Sequence, residues 1–498
     1  MLEVAHSPHT GRWLVPVFAL ILFLAHAPYL HLPYFWDELG QFVPAALDLY
    51  HDGSLIPHST VPNAHPPAVM AYLALIWRVF GYSIPATRLG LLLLASLIVL
   101  VTFLLAAELC RNTLAAWLAV LFLLVDPLFY MQSMMAQLDM PAALFTVLAL
   151  LLFLKERFTA SALASVALVL VKETGALLPL VLGLTLLFDR ARSKYARYYL
   201  APALALGLWL LYLWHATGHI FGDAGFTHYN LTYALQPVHA ALSLIRHLYY
   251  LFIADFRWIG ALAMVFAWKN TGAYRTRPWK ITWSFIAAHI ALVSVLGGAE
   301  LERYLLPVIP LIYAATAAAL VTLRPLFRNT AAVAATAGLL AGLFLNPPFP
   351  FPYENNLAMV DFVDLHRSAA QFLEQTYPQR TIFTAWPLTG ALRDPAFGYV
   401  QQPLAVAETS DLRYSTLQSI DPGRVDALVL YSRTWEPAWG VLHWKFVERF
   451  LGRYYDYEPQ MSAAEVRAHF GLSRIQRWTR RGQWIEIYAR PATSGSPR

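Results

Sequence analysis

The chain has 498 residues, of which 58% are hydrophobic and 13% charged, and carries a formal net charge of +6. A mean hydropathy of +0.48 excludes an ordinary soluble protein, whose helices are shorter and carry a polar stripe, and specifies a polytopic α-helical membrane protein. The basic excess does not mark nucleic-acid binding, because Lys and Arg cluster in short loops between apolar runs; the single Cys110 excludes an intrachain disulfide framework.

In chain order, apolar runs of membrane-spanning character cover roughly residues 13–30, 85–107, 114–130, 141–154, 160–171, 176–188, 198–215, 248–268, 281–296, 305–323 and 330–345, about eleven spans. Those at 160–171 and 176–188 are short enough to be tilted partners or one broken hairpin. The run at 67–80 is too short to cross and is expected as a helix lying at the outer interface. Near the amino terminus, Arg12, an apolar core and Ala25-His26-Ala27 imitate a cleavable signal peptide, and Pro28 directly afterwards argues against cleavage.

Basic residues set the orientation. Arg12, Arg111, Lys155, Arg157, Arg190, Arg192, Lys194, Arg197, Lys269, Arg275, Arg277, Lys280, Arg324 and Arg328 fall in alternate connections, which are therefore cytoplasmic. The opposite connections hold Asp37, Glu38, His65, Asp139, Lys172, Glu173, the loop 215–239 and residues 300–304. Every candidate for chemistry is thus expected on the extracytoplasmic face, and an odd number of spans places the C-terminal part there too.

A transmembrane domain is expected over residues 1–345 and a stiff Pro-rich linker over 346–356, because each proline fixes its own backbone angle and keeps its predecessor out of the helical region. Residues 357–490 alternate a helical pattern at 365–376 with strand-like runs at 381–386, 427–432 and 484–489, which reads as a small extracytoplasmic soluble α/β domain. It contains no metal-ligand spacing and no phosphate loop, so recognition of an acceptor or support of the bundle is its expected role. Residues 491–498 read as a disordered tail.

The outer-face residues each admit two readings. Asp37 and Glu38 are either the N-terminal cap of the following helix or, beside Phe35 and Trp36 at a membrane interface, a general base and its neighbour. His65-Pro66-Pro67 marks a helix start, which an adjacent imidazole would also make an anion site. Asp139-Met140-Pro141 reads as cap plus first turn. Lys172 and Glu173 either pair with each other or leave the lysine to reach a phosphate; Arg303 either pairs with Glu302, snorkels to lipid or grips phosphate bidentately. His215, His219, His228 and His239 share a loop with Asp223 without a zinc spacing, and Asp255 is expected to pair with Arg257.

The run Tyr34-Phe35-Trp36-Asp37-Glu38, the stretch from Ala64 and His65 to Tyr72, Asp126 to Tyr130 with Leu138 to Pro141, Lys172-Glu173-Thr174-Gly175, and Glu302-Arg303-Tyr304 to Pro307 together resemble the dolichyl-phosphate-mannose protein mannosyltransferase family. That family is a branch of the GT-C glycosyltransferases, and the bacterial lipid A aminoarabinose transferase is a similar relative. The resemblance covers about residues 13–325 and implies a GT-C-like bundle with inverting transfer of a sugar from a polyprenyl-phosphate-linked donor to a glycan, lipid or protein acceptor outside the cytoplasm, as in a bacterial inner membrane. By position it implies Asp37 as catalytic acid residue with Glu38 beside it, and Lys172 and Arg303 on the donor phosphate, with His65 as a third candidate there. His65 stands where the aminoarabinose transferase has a lysine. Asp139, Glu173, Glu302 and Tyr304 are expected at the substrate, with Phe226, Tyr229 and Tyr233 lining the cleft. No cofactor is required by this reading, and a divalent metal ion has a place in some relatives and not in others. Two alternatives stay open, a transporter or flippase of lipid-linked sugars and a ligase using a diphosphate-linked donor.

Overall fold

The computed structural model describes residues 8–233, 235–433, 444–455 and 457–490, with side chains described for all of these except 8–13 and 231–233. The expected tail at 491–498 and the side chain of Tyr233 lie outside the described residues. The chain forms two compact units, one made of residues up to 30 and 42–345, the other of residues 31–41 and 346 onward.

The larger unit is helical: α1 Pro8–His26, α2 Val43–His51, α3 Ala68–Phe80, α4 Ile84–Cys110, α5 Thr113–Val125, α6 Pro127–Gln132, α7 Asp139–Leu154, α8 Phe158–Val171, α9 Leu177–Leu187, α10 Leu200–Thr217, α11 Ala224–Thr227, α12 Pro237–Phe252, α13 Arg257–Asn270, α14 Arg277–Val295, α15 Ile309–Leu320 and α16 Pro325–Phe344. Its centre is α4, packed against α1, α5, α7 and α15. Ser83 caps α4 by accepting from the Ala86 N–H at 3.2 Å, and Pro85 sits in the first turn, where its missing N–H costs nothing. The buried Arg88 of this helix donates to the Met134 carbonyl at 2.8 Å, which ties α4 to the loop leading into α7.

Two expected spans are interrupted, each for a local reason. The run at 114–130 breaks at Asp126, because Pro127 disfavours a helical residue before it and the Asp126 carboxylate accepts from the Phe129 N–H at 2.8 Å, starting α6 afresh. The run at 248–268 bends by 47° between α12 and α13. There Asp255 and Phe256 both adopt left-handed backbone angles (φ 50° and 62°), a conformation costly for residues with a Cβ. Among the described residues three helices are long and apolar enough to cross a membrane, Ile84–Cys110, Ser193–Thr217 and Pro325–Phe344, or four if the bent pair is one span. Other apolar segments, including α3, α5, α7, α8 and α15, form helices of 10–17 residues. Helix length therefore does not carry the expected count of about eleven crossings, since a 13-residue helix reaches only about 20 Å.

The second unit is an α/β domain with a sheet of β1 Ile382–Ala385, β2 Val406–Thr409, β3 Ala427–Tyr431, β4 Ser473–Arg480 and β5 Gln483–Ala489, in the order β2-β1-β3-β5-β4. Strands β2, β1 and β3 are parallel, and β5 runs antiparallel to β3 and β4. All of β3 is buried, as an apolar central strand should be. Helix α17, Ala358–Thr376, packs on β5 and begins earlier than its periodicity predicts. The segment 31–41 belongs to this unit: the Tyr399 hydroxyl donates to the Tyr34 carbonyl at 2.8 Å, Phe35 meets Phe362 edge-on at 5.3 Å, and Trp36 meets Trp386 edge-on at 4.9 Å. A Cβ on Gly40 would fall 2.1 Å from the Trp386 indole nitrogen, so only glycine lets the segment lie this close.

Candidate active site

In the helical unit, Asp139 opens α7, Lys172 ends α8, and Arg303 and Tyr304 lie in a short turn before α15. Asp139 does not cap α7, whose start carries no side-chain cap. Its buried carboxylate instead accepts from Lys172 Nζ at 2.5 Å on one oxygen and faces Arg303 Nε at 3.3 Å with the other. Lys172 also lies 4.4 Å from the centre of the Tyr304 ring, close enough for cation–π attraction. Lys172 and Arg303 thus converge on one carboxylate in a largely buried place, and the Glu173 carboxylate also lies near Lys172.

Lys172 and Glu173 have separate direct partners. The Glu173 carboxylate accepts from His65 Nδ1 at 2.8 Å. Burial would raise its pKa, but the paired His65 and the nearby Lys172 outweigh that and hold it down at about 2. His65 is flanked by the rings of Phe226 at 5.5 Å and Phe42 at 5.9 Å. Helix α3 starts just after the expected His65-Pro66-Pro67 signal, with Pro67 as its N-cap.

The turn carrying Arg303 and Tyr304 is anchored by Glu300 and Glu302 themselves, with His239, and by Arg246 and His289, which the sequence does not single out. Arg246 of α12 donates both arms of its guanidinium fork to Glu302, at 2.6 and 3.0 Å. His239 Nε2 and Glu300 are 3.1 Å apart, both buried; burial pushes the Glu300 carboxyl above its ordinary range, against the pull of His239 and Arg246. His289 Nε2 donates to the Tyr304 carbonyl at 2.8 Å. Gly297, at φ 96°, leaves room for the Tyr304 ring, which a Cβ there would meet at 3.0 Å. An arginine inside a helix that carries no other Lys, Arg, Asp or Glu is the signal that marks Arg246.

The expected Asp255–Arg257 pair is present at 2.8 Å, and Arg257 also donates to Asp126 at 2.6 Å and to the Tyr313 hydroxyl at 3.2 Å. Asp223 caps α11 through the Phe226 N–H at 2.9 Å. Among the described residues no group of three or more His, Cys, Asp and Glu is placed to hold a metal ion.

Asp37 and Glu38 lie in the other unit and have different environments. Glu38 is fully buried, and its carboxylate accepts from the Phe35 N–H at 2.9 Å, the backward half of a capping box. Asp37 is partly exposed and follows Trp36, whose φ is 48°. The cap reading thus describes Glu38, and Asp37 is the less buried of the two acids.

Comparison with known proteins decides the architecture. The structure of ArnT from Cupriavidus metallidurans bound to undecaprenyl phosphate matches with a TM-score of 0.59 at 16% identity, covering 99% of this chain and 100% of that one. The same protein in the apo state matches with a TM-score of 0.55 at 17% identity over the same shares. The chain has the GT-C fold. Within it, residues 77–221 match the family model described as dolichyl-phosphate-mannose-protein mannosyltransferase, so the resemblance carried by the motifs is borne out. That GT-C segment contains Asp139, Lys172 and Glu173, and the shared fold extends through the C-terminal α/β unit. A search of curated proteins gave no significant match.

Proposed function

We propose that this protein is an inverting membrane glycosyltransferase that moves a sugar from a polyprenyl-phosphate donor to a hydroxyl or phosphate acceptor on the extracytoplasmic face, in a bacterial inner membrane. The observation that carries the reading is the convergence of Lys172 and Arg303 on Asp139 beside Tyr304. A phosphodiester carries one negative charge, which two converging cations would answer. Support comes also from the GT-C fold and from the undecaprenyl phosphate held by the ArnT structure that shares it.

In this mechanism Lys172 and Arg303 bind the donor phosphate and the ring of Tyr304 bounds the sugar. Asp37 takes the proton of the acceptor hydroxyl as its oxygen attacks the anomeric carbon from the side opposite the phosphate. The new carbon–oxygen bond forms as the bond to phosphate oxygen breaks, inverting the centre, and polyprenyl phosphate leaves. Its added charge develops against the two cations, which is where electrostatic stabilisation acts. Glu38 holds the loop of Asp37 in shape, and Glu173 holds His65.

The test is transfer of label from a panel of radiolabelled polyprenyl-phosphate and polyprenyl-diphosphate sugars by the purified full-length protein in nanodiscs. Asp37→Asn is expected to lower transfer about 100-fold or more while binding of undecaprenyl phosphate persists. Unimpaired transfer by Asp37→Asn would remove the base assignment. Label crossing the bilayer without transfer would replace the enzyme by a transporter.

A further inference from the structure

The turn bearing Arg303 and Tyr304 has little regular structure of its own, yet it is tied down at several points. Gly297 N–H donates to the Asn230 carbonyl at 3.0 Å, His239 meets Glu300 at 3.1 Å, Arg246 grips Glu302 through two bonds, and His289 takes the Tyr304 carbonyl. Two of these ties come from one helix, α12, through His239 and Arg246. The turn is also held off its relaxed geometry, since Glu300 has φ 47°. A non-glycine residue in that region persists only where surrounding contacts over-determine it.

From this geometry we infer that Arg246 is a positioning residue for the donor-phosphate site: by binding Glu302 it aims the next two residues, Arg303 and Tyr304, at Asp139 and Lys172. This rests on the donor-phosphate reading above and assigns Glu302 a partner in the protein in place of the substrate. The physical argument is that Glu302 is only 4% exposed, so its charge must be matched inside the protein. A guanidinium satisfies both carboxylate oxygens in one plane, fixing the direction of the residue as well as its charge. Removing Arg246 takes away the fork that fixes both Glu302 oxygens in one plane, and the turn loses the tie that sets its direction. Arg303 is adjacent in the chain and moves with it.

The prediction separates Arg246 from a phosphate ligand, because Arg246 and Glu302 act as one unit. In full-length protein in nanodiscs, undecaprenyl phosphate binding and donor KM would be measured for Arg246→Ala, Arg246→Lys, Glu302→Ala and the double variant. Each single alanine variant is expected to weaken binding and raise donor KM by about 10- to 100-fold, since displacement of a binding group by about 1 Å has effects of that size. The double variant is expected to be no worse than either single one, the signature of coupled residues. Arg246→Lys keeps the charge but not the fork, so it should bind as poorly as the Glu302 variant while melting near the wild-type temperature. Should an alanine variant not fold, the lysine variant decides. Wild-type donor KM and binding in Glu302→Ala or in Arg246→Lys would overturn the inference and leave the donor reading intact. A wild-type protein that binds no undecaprenyl phosphate and transfers no sugar would remove both.

Discussion

Single carboxylates in this chain act through the cations they meet, and the consequences differ by site. Asp139 is buried between Lys172 and Arg303, so Asp139→Ala would take from both cations the carboxylate they share. Breaking a buried pair in this way costs about 3–5 kcal/mol, and a lower melting temperature in detergent would show it; an unchanged one would mean that solvent already screens the site. His366 on α17 gives a pH prediction for the second unit. It stacks on Phe362 at 3.8 Å, donates Nδ1–H to the Phe362 carbonyl, and is 3% exposed; burial lowers its pKa to about 3. The unfolded imidazole binds its proton near pH 6.5, so below that value protonation favours the unfolded chain. Stability is expected to be full above pH 6.5 and to fall as pH drops toward about 3, by about 1.4 kcal/mol per pH unit. His366→Phe should flatten that slope in melts at pH 4 to 7, and an equal slope in the variant would refute the assignment.

At the scale of elements, the bend between α12 and α13 depends on a facing helix. Gly338 and Gly342 of α16 lie where a Cβ would come within 2.3 Å of Phe256 Cβ and 2.6 Å of Asp255 Oδ1. The left-handed pair at 255–256 has somewhere to go only because those positions lack side chains. Gly338→Ala or Gly342→Ala is expected to cost about 1–3 kcal/mol by overpacking, read as a drop in melting temperature, whereas alanine at Gly207, with nothing within 4 Å, should be tolerated. This bend was not legible in the sequence, since no Gly or Pro lies at 253–257 and Asp255 and Arg257 read there as an ion pair and not as a break. The same limit hid β2 and β4. Strand β4 carries Arg474, Arg477 and Arg480 and is largely exposed, so it shows no apolar alternation, whereas the wholly apolar β3 was read within a residue of its ends. Pairings between neighbours in sequence, such as Asp255 with Arg257, could be read locally. Those of Arg246 with Glu302 or His65 with Glu173 could not, because periodicity says nothing of which helices meet.

For the molecule as a whole, the candidate chemistry is divided between two compact units, with Lys172 and Arg303 in one and Asp37 in the other. A chain ending at residue 345 would keep the whole proposed donor-phosphate cluster but lose Phe362, Trp386 and Tyr399, the partners of Phe35, Trp36 and Tyr34. Such a truncated protein is expected to bind undecaprenyl phosphate and to transfer no sugar, with the 31–41 segment open to protease; transfer at the full-length rate would show that the Asp37 loop needs no such support. The interleaving also sets an order for biogenesis. The ribosome makes residues 31–41 more than about 300 residues before their packing partners, a delay on the order of tens of seconds. Until then the loop that carries Asp37 lacks the side chains that pack it, so the proposed base is expected to be in place only once residues 362–399 have been made.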